Sequence, residues 1–134
     1  SVSINAQNDF GNNVIKRAAL QGGSEIVNTI SGTNPGTTST ITVDYAEGSY
    51  QQYSVNPAAY VFTVNNWPPS GKLGTIRLEI TPTSTSTTTV SFGGPVTFLD
   101  SVTQPVSYTQ VKPIVWELFS PDSGVGKILA WQVK

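Results

Sequence analysis

The stretch Gly74–Thr81 reads GTIRLEIT, and its apolar and polar residues alternate without a break. Successive side chains of a β-strand point to opposite faces of the sheet, so the two isoleucines and the leucine can face a core while Arg77 and Glu79 face solvent. The stretch therefore predicts a strand that is buried on one face and wet on the other.

The same two-residue period recurs in both directions along the chain. It is found before this stretch at Ile41–Tyr45 and Ala59–Val64, and after it at Lys112–Phe119 and Gly126–Val133. The last two segments flank Ser120–Gly124 (SPDSG), whose early proline and final glycine are typical of a turn. These two segments are therefore predicted to form a hairpin.

The tryptophans of the hairpin are predicted to lie in the core. Trp116 lies on the apolar side of the first segment, and Trp131 shares one side of the second segment with Leu129 and Val133. By contrast, the stretch Val102–Val111 contains a proline and shows no clear period, so it is predicted to be irregular.

Counted along the chain, about eight to ten short strands and no convincing amphipathic helix are predicted. The expected fold class is all-β, an antiparallel β-sandwich with a jelly-roll-like arrangement. Residues 1–13 are polar and rich in asparagine, which favours an N-terminal leader or linker, and residues 14–134 are expected to form a single domain.

Charge and composition exclude several classes of function. The chain has a net charge of −1 with its seven basic residues scattered, so no nucleic-acid footprint is seen. No apolar run approaches the roughly 20 residues of a membrane helix. Histidine and cysteine are absent, which excludes zinc sites built on them. We therefore expect no cofactor, no metal, no nucleic acid and no membrane insertion.

The same composition argues against catalysis. Without histidine, the usual base for an activated serine is missing. Among the carboxylates, Glu79 and Glu117 lie on the polar sides of alternating segments and are expected to face solvent. Asp122 lies in the predicted turn, where aspartate commonly accepts hydrogen bonds from its own backbone. No catalytic residue is assigned, and the chain is predicted not to be an enzyme.

Trp67 is the candidate binding residue, and it has two interpretations. It lies in the proline-rich turn NNWPPSG at Asn65–Gly71. An exposed ring there could stack on a sugar, with Asn65 and Asn66 supplying hydrogen bonds. Alternatively, the ring folds over the end of the core or packs against a neighbouring chain, which is the favoured interpretation because tryptophan is highly buried on average.

From about Val14 to the C-terminus, short motifs follow one another in a specific order. They are NVIKRAAL at 13–20, TITVDY at 40–45, FTVNNWPPSG at 62–71, GTIRLEI at 74–80, TVSFGGPVTF at 89–98, VWELF at 115–119, DSG at 122–124 and LAW at 129–131. In this order they resemble a recurring β-structured module of bacteriophage tail-fibre and other virion proteins.

The resemblance implies a structural role in a virion, as part of a tail fibre, a baseplate or a capsid decoration. The expected partners are other virion proteins, engaged through protein–protein contacts, and further copies of the chain, with a trimer favoured. The resembled module brings no catalytic motif. The alternative is a receptor- or carbohydrate-binding domain at a fibre tip, which would bind a host-surface glycan through Trp67, Asn65 and Asn66.

Overall fold

The computed structural model describes residues 27–33 and 38–134, which form ten strands and a single 3-10 turn at Tyr45–Glu47. The predicted leader at 1–13 and residues 14–26 of the predicted domain lie outside the described residues. In chain order the strands are β1 Val27–Thr33, β2 Thr38–Asp44, β3 Tyr50–Val55, β4 Ala59–Asn65, β5 Gly74–Pro82, β6 Thr88–Phe92, β7 Val96–Phe98, β8 Val106–Tyr108, β9 Ile114–Ser120 and β10 Ile128–Gln132.

The predicted all-β class is confirmed for this part of the chain. The strands form a six-stranded sheet with the order β1-β3-β5-β9-β10-β7 and a four-stranded sheet with the order β2-β4-β6-β8. The described residues contain no helix that is long and apolar enough to cross a membrane.

The predicted antiparallel pairing is wrong for most of both sheets. Five of the eight strand pairs are parallel, and three are antiparallel. The reason is that each of the first eight strands is followed by a strand of the other sheet, so four of the parallel pairs join strands that are two apart in sequence. The fifth parallel pair joins β7 and β10, whereas β6 and β8 run antiparallel. Residue alternation reports which face a side chain occupies, and it is blind to strand direction. The predicted hairpin of β9 and β10 is confirmed as antiparallel.

The inner faces of the two sheets share one core. The ring centroids of Tyr53 in β3 and Phe62 in β4 lie 5.5 Å apart, and those of Phe92 in β6 and Trp116 in β9 lie 5.1 Å apart. Both contacts join one sheet to the other. Every second residue of β5 and of β9 is buried, as the two-residue period predicts. Trp116, predicted to lie in the core, is 0% exposed.

Strand β8 lies within the stretch that was predicted to be irregular, so that prediction is wrong for Val106–Tyr108. Its tyrosine, Tyr108, is buried, and its hydroxyl accepts a hydrogen bond from Trp116 Nε1 at 3.2 Å and donates one to Gln132 Oε1 at 2.7 Å. A strand of three residues is too short to show a period, so its place is set by these long-range contacts.

The orientation predicted for β10 is also wrong. The residues of this strand that face the core are Ile128 and Ala130. Leu129 and Trp131, which were predicted to be buried, lie on the outer face, and Val133 is exposed. The smaller apolar set is buried because Ala130 pairs with Leu118 and Trp131 pairs with Glu117, and partners directly opposite in a sheet share a face.

Candidate functional site

The outer face of the six-stranded sheet carries a row of four large side chains, one from each of four neighbouring strands. Tyr50 pairs with Arg77, Arg77 pairs with Glu117, and Glu117 pairs with Trp131. Paired residues lie side by side on one face, about 4.8 Å apart from strand to strand, so the row extends about 14 Å across the sheet. We call these four residues the outer row.

Glu117 organises the centre of the outer row. Its Oε2 accepts from Arg77 Nε at 2.9 Å, and its Oε1 accepts from the indole Nε1 of Trp131 at 3.3 Å. The Glu117 side chain is 18% exposed, whereas that of Arg77 is 49% exposed. One carboxylate therefore positions both the guanidinium and the indole ring.

Glu79 holds Tyr50, the residue at the other end of the outer row. It lies two residues after Arg77 in β5, on the same face of the sheet. Its carboxylate accepts from the hydroxyl of Tyr50 at 2.7 Å and from Nε2 of Gln52 at 3.1 Å. The hydrogen bond to Glu79 raises the pKa of Tyr50, because a neutral hydroxyl is the better donor to a carboxylate. The prediction that Glu79 and Glu117 lie on the outward side of their strands is confirmed, although both are half-buried by these contacts.

A shallow depression of about 340 Å³ opens at the tryptophan end of the outer row. Its walls combine three apolar side chains with two carboxylates. The lining residues are Leu99, Asp100, Glu117, Phe119 and Trp131. An apolar and aromatic wall with a few polar groups at its rim is suited to holding a small ligand in a defined orientation.

A second, more polar depression of about 190 Å³ lies beside Glu79, and Thr29 and Gln52 also line it. The polar groups here bond to one another, since Thr29 Oγ1 donates to Gln52 Oε1 at 2.9 Å and Gln52 in turn donates to Glu79. Among the described residues, no group of three or more acidic side chains is arranged to hold a metal ion. The first depression, beside Trp131 and Phe119, is therefore the stronger candidate site, and we call it the aromatic depression.

Trp67, the residue singled out from the sequence, is only 8% exposed. Its ring lies 5.5 Å from that of Tyr45 and rests on the backbone of Gly124, where an added Cβ would come within 2.5 Å of the indole Cδ1. The loop that carries it is tied to the hairpin turn, since Gly71 N donates to Pro121 O at 3.1 Å. The ring thus covers an end of the core, and little of its face is open for stacking.

The two asparagines beside Trp67 are exposed and serve the turn. Asn66 adopts a left-handed conformation with φ of 56°, and its Nδ2 donates to Asp44 Oδ1 at 2.9 Å. Asn65 is the last residue of β4. The structure brings Asn65, Asn66 and Trp67 together as a rim, without an open aromatic platform between them.

The predicted turn role of Asp122 is confirmed. Its Oδ1 lies 2.9 Å from the hydroxyl of Ser120, and its Oδ2 accepts from the backbone of Gly126 at 3.1 Å. The Ser120 hydroxyl is the main cause that lowers the pKa of Asp122. This carboxylate therefore closes the hairpin turn.

The residues that sequence reasoning missed are those of the aromatic depression, above all Trp131. Its side of β10, shared with Leu129 and Val133, was predicted to face the core, but Ile128 and Ala130 form a second apolar set on the other side. The signal that distinguishes them is cross-strand: Trp131 is paired with the charged Glu117, which already belonged to the polar side of its strand.

Comparisons with known proteins add no relative. No family model matches the chain, and neither the curated proteins nor the solved structures contain a significant match to it.

Proposed function

We propose that this chain is a structural module of a bacteriophage particle, in a tail fibre, baseplate or capsid decoration, which acts by docking to other protein chains. Two kinds of support carry the proposal. The order of sequence motifs resembles virion modules, and two sheets packed on one core fit a β-sandwich whose outermost strands pair with no further described strand. The expected location is the virion.

The observation that carries the docking role is the difference between the two ends of the sheets. At one end the last strands are β1 and β2, each of seven residues, and no described strand pairs with their outer sides. At the other end the last strands are β7 and β8, of three residues each. A long unpaired edge offers a row of backbone donors and acceptors to another chain, whereas a short edge strand offers few.

The two long edges lie on the same side of the molecule. Strand β3 faces β4 through Tyr53 and Phe62, and β9 faces β6 through Phe92 and Trp116. The strand order of one sheet therefore follows that of the other across the core, so β1 and β2 lie at the same side of the molecule. An incoming strand pair could extend both sheets at once. We infer that the occupant is another copy of this chain, and that the assembly is a trimer as the resemblance favours.

Static light scattering at micromolar concentration tests the assembly. We expect about three times the mass of one chain for the natural sequence. In the double variant Thr40→Lys and Thr42→Lys, two exposed side chains of the β2 edge become charged while the buried residues between and beside them stay. Charge on an edge strand opposes pairing with another chain, so we expect this variant to be a monomer.

The matched control is Thr85→Lys and Thr87→Lys, which adds the same charge to exposed threonines of the loop between β5 and β6. It should keep the mass of the natural sequence. A natural chain that is strictly monomeric, or an edge variant that associates as before, would count against docking through this edge.

Locating the chain in a density map of the intact particle tests the setting. We expect density for this fold with β1 and β2 facing a neighbouring chain. Particles that contain no such density would remove the virion role.

The alternative, a glycan-binding role through Trp67, is less well supported. Its stacking surface is closed by Tyr45 and Gly124. A sugar-binding role would need the exposed face of a different aromatic side chain.

A further inference from the structure

We propose that the outer row and the aromatic depression form a binding site for an uncharged oligosaccharide, with the ring of Trp131 as the stacking surface. The site uses no residue of β1 or β2, and its depression lies at the opposite end of the six-stranded sheet from β1, so it does not depend on association through these two strands.

The first step is the state of Trp131. It lines the depression and is half-buried, whereas the other two tryptophans, Trp67 and Trp116, are buried. Its Nε1 is held by Glu117 and Glu117 is held by Arg77, so the ring is fixed from its polar edge. A ring that is already fixed loses little conformational freedom when a ligand packs against it.

The second step is the chemistry around the ring. A sugar ring has an apolar face of C–H groups and a rim of hydroxyls, so it is bound by an aromatic surface with planar hydrogen-bonding groups beside it. Trp131 and Phe119 provide the aromatic surface. Asp100 lies exposed at the rim and accepts hydrogen bonds, and the half-exposed guanidinium of Arg77 donates them.

The third step is charge, which selects an uncharged ligand. Among the described residues of the site, the three carboxylates of Glu79, Asp100 and Glu117 outnumber the one guanidinium, that of Arg77. Like charges in close contact repel, so an anionic sugar is disfavoured here. A purely apolar ligand is disfavoured as well, because it would strip water from the rim carboxylates without replacing their hydrogen bonds.

The fourth step is length. The outer row continues from Trp131 to a second aromatic residue, Tyr50, about 14 Å away across the strands. Tyr50 is half-buried and is anchored through its hydroxyl to Glu79. An aromatic residue at each end with charged hydrogen-bonding groups between them fits a short chain of sugars lying across the strands.

A glycan array with uncharged and acidic oligosaccharides is the first test. We expect binding to uncharged members, and saturable binding of uncharged trisaccharides, such as cellotriose, maltotriose and mannotriose, in calorimetric titrations. Trigalacturonic acid should bind more weakly than any uncharged trisaccharide that binds. An array without uncharged hits, as a face that serves only a protein partner would give, overturns the proposal.

Variants then locate the site. Trp131→Ala should weaken binding at least about tenfold, and Asp100→Asn should weaken it less. Trp67→Phe is the matched control, because Trp67 lies in the turn after β4 and outside the proposed site. This variant should bind as the natural chain does. Thermal melting verifies that each variant is folded, and if Trp131→Ala fails to fold, Trp131→Leu replaces it. Loss of binding in Trp67→Phe with retention in Trp131→Ala would overturn the assignment.

The edge variant with lysines at 40 and 42 separates this proposal from the proposed assembly. It should bind the same oligosaccharide as the natural chain even where it no longer associates. Binding that is lost together with association would show that the site needs a second copy, which contradicts a site built within one chain.

Discussion

The two faces of the six-stranded sheet are built from the same strands, yet they differ in their exposure to solvent and in the contacts that their side chains make. In β5 and β9 the inward residues, such as Leu78 and Trp116, are fully buried. The residues between them, such as Arg77 and Glu117, lie on the outer face and bond to one another. A shift of one residue therefore changes a side chain from a part of the core to a part of a surface.

This contrast teaches where stability and recognition lie in the molecule. Inward side chains lose water on folding and gain packing, so their removal costs folding free energy. Outward side chains keep much of their solvent, so their removal costs little stability. Residues that are matched in type and lie on opposite faces measure that difference.

The largest effect is expected for Trp116→Ala. The Trp116 ring packs against Phe92 and Phe98, and its Nε1 donates to Tyr108. Truncating a buried aromatic side chain costs about 3–5 kcal/mol of unfolding free energy, which urea denaturation measures. Trp131→Ala, on the outer face of the paired strand, should cost no more than about 1–2 kcal/mol. Equal losses would show that the two faces do not differ as described. Trp116→Phe serves where the alanine variant does not fold.

A second pair compares adjacent glutamines. Gln51 is buried, and its Nε2 donates to the carbonyls of Asp44 and Gly48 while its Oε1 accepts from Tyr53. In Gln51→Leu these buried groups lose their partner, which should cost about 2–3 kcal/mol.

Gln52→Leu is the matched variant on the outer face, where the lost bonds can be replaced by water, and it should cost less than about 1 kcal/mol. Chemical denaturation of both variants measures the two values. A larger loss for Gln52→Leu than for Gln51→Leu would contradict the assignment of inner and outer faces.

A third prediction concerns alkaline pH. Burial raises the pKa of Tyr53 to about 12, against an ordinary value of about 10. Between these values the unfolded chain loses the tyrosine proton while the folded chain keeps it, so stability falls as pH rises. The contribution is fully present below about pH 10 and is lost by about pH 12.

Tyr53→Phe lacks this titration. Below about pH 10 the variant should be less stable by about 1 kcal/mol, because the hydrogen bond to Gln51 is gone. That difference should shrink as the pH rises, and urea denaturation across this range measures it. Two stability curves that stay parallel to about pH 12 would contradict the prediction.

The smallest effect is expected for the ion pair of the outer row. A double-mutant cycle with Arg77→Gln and Glu117→Gln should give a coupling energy of about 0.2–1 kcal/mol, since Arg77 is half-exposed. Added salt should reduce the coupling. A coupling that is large and insensitive to salt would show that the pair is shielded from solvent.

The sequence was sufficient to locate most strands, and the reason is the two-residue period. The segment Gly74–Thr81 was predicted as a strand and forms most of β5, and the predicted hairpin is that of β9 and β10. Strand direction could not be predicted, because a crossing to the other sheet and a return within the same sheet leave the same alternation in the sequence. Strand β8 was missed because three residues carry no period.

The candidate site was harder to predict than the strands. For Trp67 the favoured interpretation, a ring folded over the end of the core, is confirmed, because the backbones of Gly74 and Gly124 leave room for the ring to lie flat. Gly124 is distant from Trp67 in the sequence, so nothing local indicates that contact. Trp131 can be placed on the outer face, and so in the candidate site, only from its pairing with Glu117 across the hairpin.

The alternation of strands between the two sheets also governs how the chain can be made. During synthesis, each of the first four strands leaves the ribosome before the later strand with which it pairs. That later partner is the strand after next, and for β5 it is β9. Pairings so distant in sequence slow folding. A nascent chain halted before Ile114 would expose the nine-residue strand β5 along one side. Such truncated products are expected to be bound by chaperones or to aggregate.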